Sequence, residues 1–362
     1  MSNNENENNE IEYGDLVEVI ELESEEDLNK VKDGFYPDGR QFPVNLKKHC
    51  IFRGVSDVNH ELIPKALRKN KENGEYEICD YINSSIFDDY RSTTFQNIEC
   101  QKDEKLSLKL QYKREFFVLF RFLDWADKSG LKIPVSTSVR KLLHSHINHF
   151  PGYWPKSEFY EVISLAQHYE LPTCALDWSY DYKVALYFAV KNVLKEKDND
   201  EKSNCVLWAF NYKNFEKYST FVVEEGLKSQ NKSQLRFYRP KYYNNPNLKA
   251  QKGLFTFLIN KPETFNEHSL ESLDNMVLHM VQESGFKNNN SEIEVRLCGI
   301  KNFTLKNNEK IFYKFIIPGE YKSKILRKLY LDGYSEEYLF PGYKGVADAM
   351  KNRIALEKVD SD

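Results

Sequence analysis

Residues 1–12 are dominated by Asn and Glu, with almost nothing to bury, and such a stretch is expected to be a disordered polar tail. Apolar patterning starts at Leu16–Leu22, a mixed apolar and acidic run suited to a strand. Ser24 stands three residues before Asp27, a variant of the capping-box spacing that opens a helix. His49–Arg53, closed by Gly54, predicts a buried strand ending in a turn. Between Leu106 and Lys128 apolar residues recur at Leu110, Phe116, Phe117, Phe120, Leu123 and Ala126, close to the helical period, and Gly130 follows as a stop. Two more helices are expected, one from Ser157 to Tyr169 ended by Pro172 and one from about Asp181 to Lys195. Cys205–Asn211, Leu254–Ile259, Glu292–Gly299 and Ile311–Ile317 are rich in β-branched and aromatic residues and predict strands. Two final helices follow, one ending before Gly333 and one starting near Tyr343. Helices gather in the first half and strands in the second, which predicts an α+β class: a central mixed or split β-sheet flanked by helices. One domain over 13–355 is expected, with a charged insertion at about 69–104.

Composition narrows the function classes. The chain of 362 residues is 41% hydrophobic and carries 24 Phe and 23 Tyr, enough to build a large core. With 51 basic against 55 acidic residues there is no overall positive field, so a broad nucleic-acid groove is not expected, although a local phosphate site is compatible. Six cysteines without CxxC pairs make neither a zinc ribbon nor a disulfide scaffold, and a reducing cytoplasm is the simplest compartment. The polar start lacks the regions of a signal peptide and no apolar run approaches membrane-spanning length, so no membrane partner is expected.

Four ordered blocks carry a family resemblance. Phe52-Arg53-Gly54 spells the tripeptide for which the FRG family is named. Ala166-Gln167-His168-Tyr169, Leu171-Pro172-Thr173, Leu176-Asp177-Trp178-Ser179 and Ala185-Leu186-Tyr187-Phe188-Ala189 resemble the family's AQHYGLPTRLLDWT…ALYFA block. Gln251-Lys252-Gly253-Leu254-Phe255 resembles its Q-x-G-x-F element, and Leu339–Gly345 its terminal LFP-x-x-x-G. The chain departs from the pattern at Glu170 (usually Gly), Cys174 (commonly Arg), Ala175 (Leu) and Ser179 (Thr). A missing Arg at 174 would remove a bidentate anion contact.

The resemblance implies a fold similar in plan to ADP-ribosyltransferases, in which a split sheet clasps NAD. An Arg or His then stands on an early strand, a hydroxyl on a strand followed by an A-x-x-F-A-like helix, and a polar or acidic residue on a later strand. Arg53, Ser179 with Ala185–Ala189, and Gln251 fall in that order. The implied catalytic set is Arg53, Asp177 and Gln251. The implied cofactor-binding set is Gly54, Gln167, His168, Thr173, Trp178 and Ser179, with NAD as the ligand. The setting implied is a cytoplasmic bacterial toxin or anti-phage effector whose macromolecular target or regulatory protein is unknown. A binding or sensor module without turnover is the other reading.

The residues themselves leave alternatives open. Arg53 can offer a planar fork to a phosphate, with Gly54 permitting close backbone approach, or it can pair with an internal carboxylate such as Asp177. Asp177 can serve a ribose hydroxyl or developing positive charge, Trp178 can stack on a base, and the free N–H groups of the next helix can bind an anion. Equally, Asp177 and Ser179 can be cap residues and Trp178 core. Gln251 can bond backbone or ligand. Glu336 and Glu337 are caps for the last helix or reactive carboxylates. His168 with Cys174 spells a thiol-protease pair without an orienting third residue, and His144, His146 and His149 form a local cluster lacking a fourth metal ligand.

Overall fold

The computed structural model describes residues 11–71, 73–85, 95, 97–101, 105–131, 150–194, 203–213, 234–242, 245–284, 286–289, 292–297, 301–306 and 308–359. The class is α+β. Seven strands, β1 (Val17–Glu21), β2 (Cys50–Val55), β3 (Ala175–Ser179), β4 (Cys205–Asn211), β5 (Gln234–Tyr238), β6 (Gly253–Ile259) and β10 (Phe312–Ile317), form one mixed sheet in the order β1-β10-β4-β2-β3-β6-β5. Only β1 and β10 run parallel. A separate three-stranded sheet holds β7 (Phe286–Asn289), β8 (Glu292–Leu297) and β9 (Lys301–Lys306).

The helices that matter to the site start where their caps dictate. In α1 (Glu25–Asp33) the Ser24 hydroxyl accepts from the Asp27 N–H at 3.1 Å. The long α2 (Leu108–Lys128) starts on Ser107, whose hydroxyl accepts from Leu110 N at 3.2 Å. The next, α3 (Tyr160–His168), ends ahead of Pro172, and α4 (Tyr182–Val190) is capped by Asp181. Near the C-terminus lie α5 (Leu273–Ser284), α6 (Lys322–Leu331), the single turn α7 (Glu336–Leu339) and α8 (Tyr343–Val359).

The sheet is continuous over most of its width and parts in the middle. β2 pairs with β4 over six residues but touches β3 through one pair, Phe52 with Ser179. The cores follow this parting. Phe52, Leu207, Ala209 and Phe315 pack with α4 and α6 in one core, while Ala175, Phe255 and Phe257 pack with α2 and α3 in another. Alternate residues, including Ile51, Leu176, Trp178, Phe210 and Phe312, point through the sheet to a third core closed by α5. A cleft therefore opens between two cores on one face, at the β2–β3 parting.

Three features differ from the sequence reading. Ala175–Ser179 is a strand, where a short run entering the next helix was expected; its alternation is masked because four of its five residues are buried. β5, β7, β9 and α5 were not anticipated. Within the charged insertion, Cys79 and Cys100 are joined, a pairing their spacing did not single out. No helix among the described residues is long and apolar enough to cross a membrane.

Candidate functional site

Where β2 and β3 part, the Asp177 carbonyl loses the strand partner a continuous ladder would give it, and a buried carbonyl requires a donor. Arg53 supplies it. Its Nη1 donates to Asp177 O at 2.7 Å and to Asp177 Oδ1 at 2.5 Å, bridging the parting with one group. The internal pairing that the sequence left open is thus present. Among the described residues, no other group takes a hydrogen bond from Nη2 or Nε of Arg53.

Asp177 is oriented from its other side as well. The Ala175 N–H donates to Thr173 Oγ1 at 3.2 Å, so that hydroxyl turns its proton to Gln167 Oε1 at 2.8 Å. This fixes the Gln167 amide with its nitrogen toward Asp177 Oδ1, at 3.3 Å. Burial pushes the Asp177 carboxyl up, but the Arg53 charge and its hydrogen bond, helped by Gln167, outweigh that and hold it below the usual carboxylate range. The side chain remains 49% accessible while Arg53 is only 14% accessible. An ionised carboxylate is therefore presented to the opening by a mostly buried arginine.

The cavity, about 170 Å³, is lined by Arg53, Gly54, Gln167, His168, Asp177 and Gln251 among others. Burial lowers the His168 pKa against the opposing pull of Asp177 and Glu170, so its ring is neutral at pH 7. The walls also carry Glu170, Phe188 and Lys191, none of which the sequence reading selected. Lys191 Nζ lies 3.7 Å from Glu170 and 4.9 Å from the Phe188 ring. Its place two residues past Ala185–Ala189 was the only available signal. Next to this cavity, a basin of about 790 Å³ carries Lys65, Arg68, Lys69 and Lys71 together with Glu61, Glu77 and Asp80, Arg68 lying 3.5 Å from Glu77. Lys65 Nζ donates to the Glu170 carbonyl at 2.8 Å, linking the two openings.

Several predicted site residues have other duties. Gly54 does not make room for a ligand: a Cβ there would lie 2.7 Å from Ala189 N, 2.8 Å from Ala185 C and closer still to the Ala185 carbonyl oxygen. Its close neighbour is the backbone of α4. Trp178 cannot stack on a base, because its ring is in the third core against Phe210 and its Nε1–H donates to Thr256 at 3.0 Å. The Ser179 hydroxyl, in a residue 5% exposed, donates to Gln251 O at 2.8 Å and accepts from Asp181 N at 2.9 Å. Thr173 is 1% exposed and acts only through Gln167. Gln251 uses its amide nitrogen on Leu339 O at 3.1 Å, fastening the LFP block to β6. The α4 N-terminus offers no anion site either, since Asp181 caps Lys183 N at 3.0 Å and is itself held by Lys252 and Tyr334.

The departures from the family pattern have local causes or costs. Glu170 has φ of 63°, a left-handed conformation where glycine is the unstrained choice. The residue at 174 does not face the cleft. The buried Cys174 thiol meets Glu115 of α2, whose carboxylate accepts from Cys174 N at 3.0 Å, Trp154 Nε1 at 3.1 Å and Gln111 Nε2 at 2.7 Å. An arginine there would meet Glu115 rather than a ligand. Burial, foremost, with Glu115 beside it, pushes the Cys174 thiol far up, which removes it as a nucleophile. Glu336 is also structural: 6% exposed, it accepts from Tyr187 Oη at 2.7 Å, Asn352 Nδ2 at 2.6 Å and Tyr330 Oη. Glu337 pairs with Arg353. His144, His146 and His149 lie outside the described residues.

Comparison with known proteins agrees with this local picture. No curated protein and no solved structure matches the chain. The family model of the FRG domain matches residues 127–198, which include α3, β3 and α4 and therefore Gln167, Asp177 and the helix that crosses Gly54. One wall of the cleft thus falls inside the matched segment, and residues 127–198 carry an FRG domain.

Proposed function

We propose that the cleft at the β2–β3 parting binds NAD and that the protein acts as an ADP-ribosyltransferase-like effector in bacterial stress or anti-phage defence. The observation that carries this reading is the Asp177 carboxylate, ionised and half open, with an arginine beside it that keeps unused donors. Loss of nicotinamide breaks the glycosidic bond with the electron pair leaving on nitrogen. Positive charge then develops on the ribose, and a fixed carboxylate lowers that barrier. Asp177 takes this role. Arg53 suits the pyrophosphate through Nη2 and Nε, and Gln251 assists only by holding the wall.

A cavity of about 170 Å³ is small beside the ~300–1,000 Å³ typical of ligand sites. It fits the nicotinamide end of NAD, while the adjoining basin with Lys65 and Arg68 suits the phosphate-bearing remainder. Incubation with NAD tests the reading directly. Released nicotinamide, or ADP-ribose mass added to a protein or nucleic acid, is expected from the wild type and not from Arg53→Ala.

A second reading, a nucleotide- or protein-binding sensor without turnover, is favoured by one observation: Arg53 and Asp177 neutralise each other while Ser179 and Gln251 are committed to backbone bonds. Saturable NAD binding with no product would select it. For a toxin, expression should arrest growth in the wild type and not in Arg53→Ala.

A further inference from the structure

Away from the cleft, three side chains converge at the start of α5. A 3-10 turn, Glu267–Leu270, is pinned by a reciprocal pair: Ser269 N donates to Asn266 Oδ1 at 3.3 Å and Asn266 N to Ser269 Oγ at 3.2 Å. Eight residues beyond Glu271, His279 projects from the middle of α5, a helix anchored by Leu273, Met276, Val277 and Val281 in the third core. Both backbones are thus fixed before any ligand is considered.

His268 Nδ1 lies 2.7 Å from Glu271 Oε1, and His279 Nε2 lies 3.0 Å from Glu271 Oε2. The imidazole centroids are 3.9 Å apart with 34° between planes, and the three ligand atoms lie within 4.8 Å of one another. The two histidines also line a cavity of about 150 Å³ whose walls include two more carboxylates, Glu263 and Glu283. None of its lining residues borders the Arg53 cavity.

We propose that His268, Glu271 and His279 bind one divalent transition-metal ion, with Zn²⁺ the best fit to two imidazole nitrogens and one carboxylate. Ligand bonds of about 2.0–2.2 Å place neighbouring ligand atoms of a tetrahedral zinc about 3.3 Å apart. The observed 2.7 and 3.0 Å run to the two different oxygens of Glu271, and the three ligand atoms lie within 4.8 Å of one another, so small side-chain rotations bring the set to that geometry. The fourth position faces the cavity, where water or a carboxylate on its wall completes the shell. Such an ion ties the 3-10 turn to α5.

The full-length protein, dialysed against chelator, is titrated with Co²⁺ while visible absorption is followed, then with Zn²⁺ in competition. One equivalent per chain with tetrahedral Co²⁺ bands is expected. His268→Gln and His279→Gln should each weaken binding roughly a hundredfold or more, since even an outer partner of a ligand is worth about 10–100-fold. Zn²⁺ should raise the wild-type melting temperature and Mg²⁺ should not. Absence of saturable wild-type binding overturns the proposal, as does undiminished binding by a His268→Gln/His279→Gln variant with native circular dichroism. If that variant does not fold, Glu271→Ala replaces it under the same criterion.

Discussion

Replacing Gly54 by alanine separates two explanations of the glycine after Arg53. Were Gly54 there to admit a ligand, alanine would weaken binding and leave the fold intact. The geometry says otherwise. The added Cβ would sit 2.7 Å from Ala189 N and 2.8 Å from Ala185 C, with the Ala185 carbonyl nearer still. All three atoms are backbone, so no rotamer change relieves the clash, and α4 must retreat from β2 by about 1 Å or more, a gap that forfeits up to half of each dispersion contact it opens. Those contacts are many, because Val184, Ala185, Leu186, Tyr187, Ala189 and Val190 are each no more than 2% exposed. Overpacking usually costs about 1–3 kcal/mol, and with no soft neighbour the loss should reach the top of that range, about 3 kcal/mol. That is a large share of the roughly 5–15 kcal/mol of a folded domain. Urea denaturation followed by the fluorescence of the four tryptophans measures it. A loss below about 1 kcal/mol with native circular dichroism would refute the packing argument. At Gly253 the neighbour is the flexible Leu248 Cδ1, at 2.5 Å, so Gly253→Ala should cost less.

Three further substitutions test other parts of the account. Burial raises the Glu115 pKa in the folded state, so its contribution to stability is full below the unfolded value of about 4.3 and is lost as pH rises through the folded value. Glu115→Gln should remove that fall, leaving a flatter stability profile as pH rises above about 4.3 in thermal melts; an unchanged slope would count against a proton on Glu115. Trp178→Phe loses the bond to Thr256 and should destabilise by about 1–3 kcal/mol without changing nucleotide affinity, measured by calorimetry. Glu170→Gly relieves a left-handed residue worth about 1–2 kcal/mol, partly offset by glycine's entropy, and should raise the denaturation midpoint slightly.

Much of the frame was legible because its signals are local. Ser24 and Asp181 cap the helices they were expected to open, and the apolar period over Leu106–Lys128 gave α2 to within two residues. The Gln167–Ser179 segment came out as a cleft wall because a helix end, a proline turn and a strand fall consecutively. What pattern could not reveal is which side of a strand each residue faces once both sides are buried. Trp178 and Asp177 are adjacent in sequence, yet one enters the core under α5 and the other the cleft. Cys174 looked like a lost ligand contact because nothing local reveals Glu115, 59 residues away, as its neighbour. Gly54 likewise answers to a helix more than a hundred residues downstream. Partners distant in sequence, rather than weak propensities, set the limit.

The central claim is that Asp177, held by Arg53 and Gln167, stabilises charge on a bound NAD ribose. Nicotinamide release by wild type, Asp177→Asn and Arg53→Ala, measured beside NAD affinity, tests it most directly. Asp177→Asn should retain NAD binding while its release rate falls roughly a hundredfold or more, the scale of removing one transition-state contact. Arg53→Ala should lose both. Undiminished release by Asp177→Asn, or a wild type that neither binds nor consumes NAD, would contradict the account.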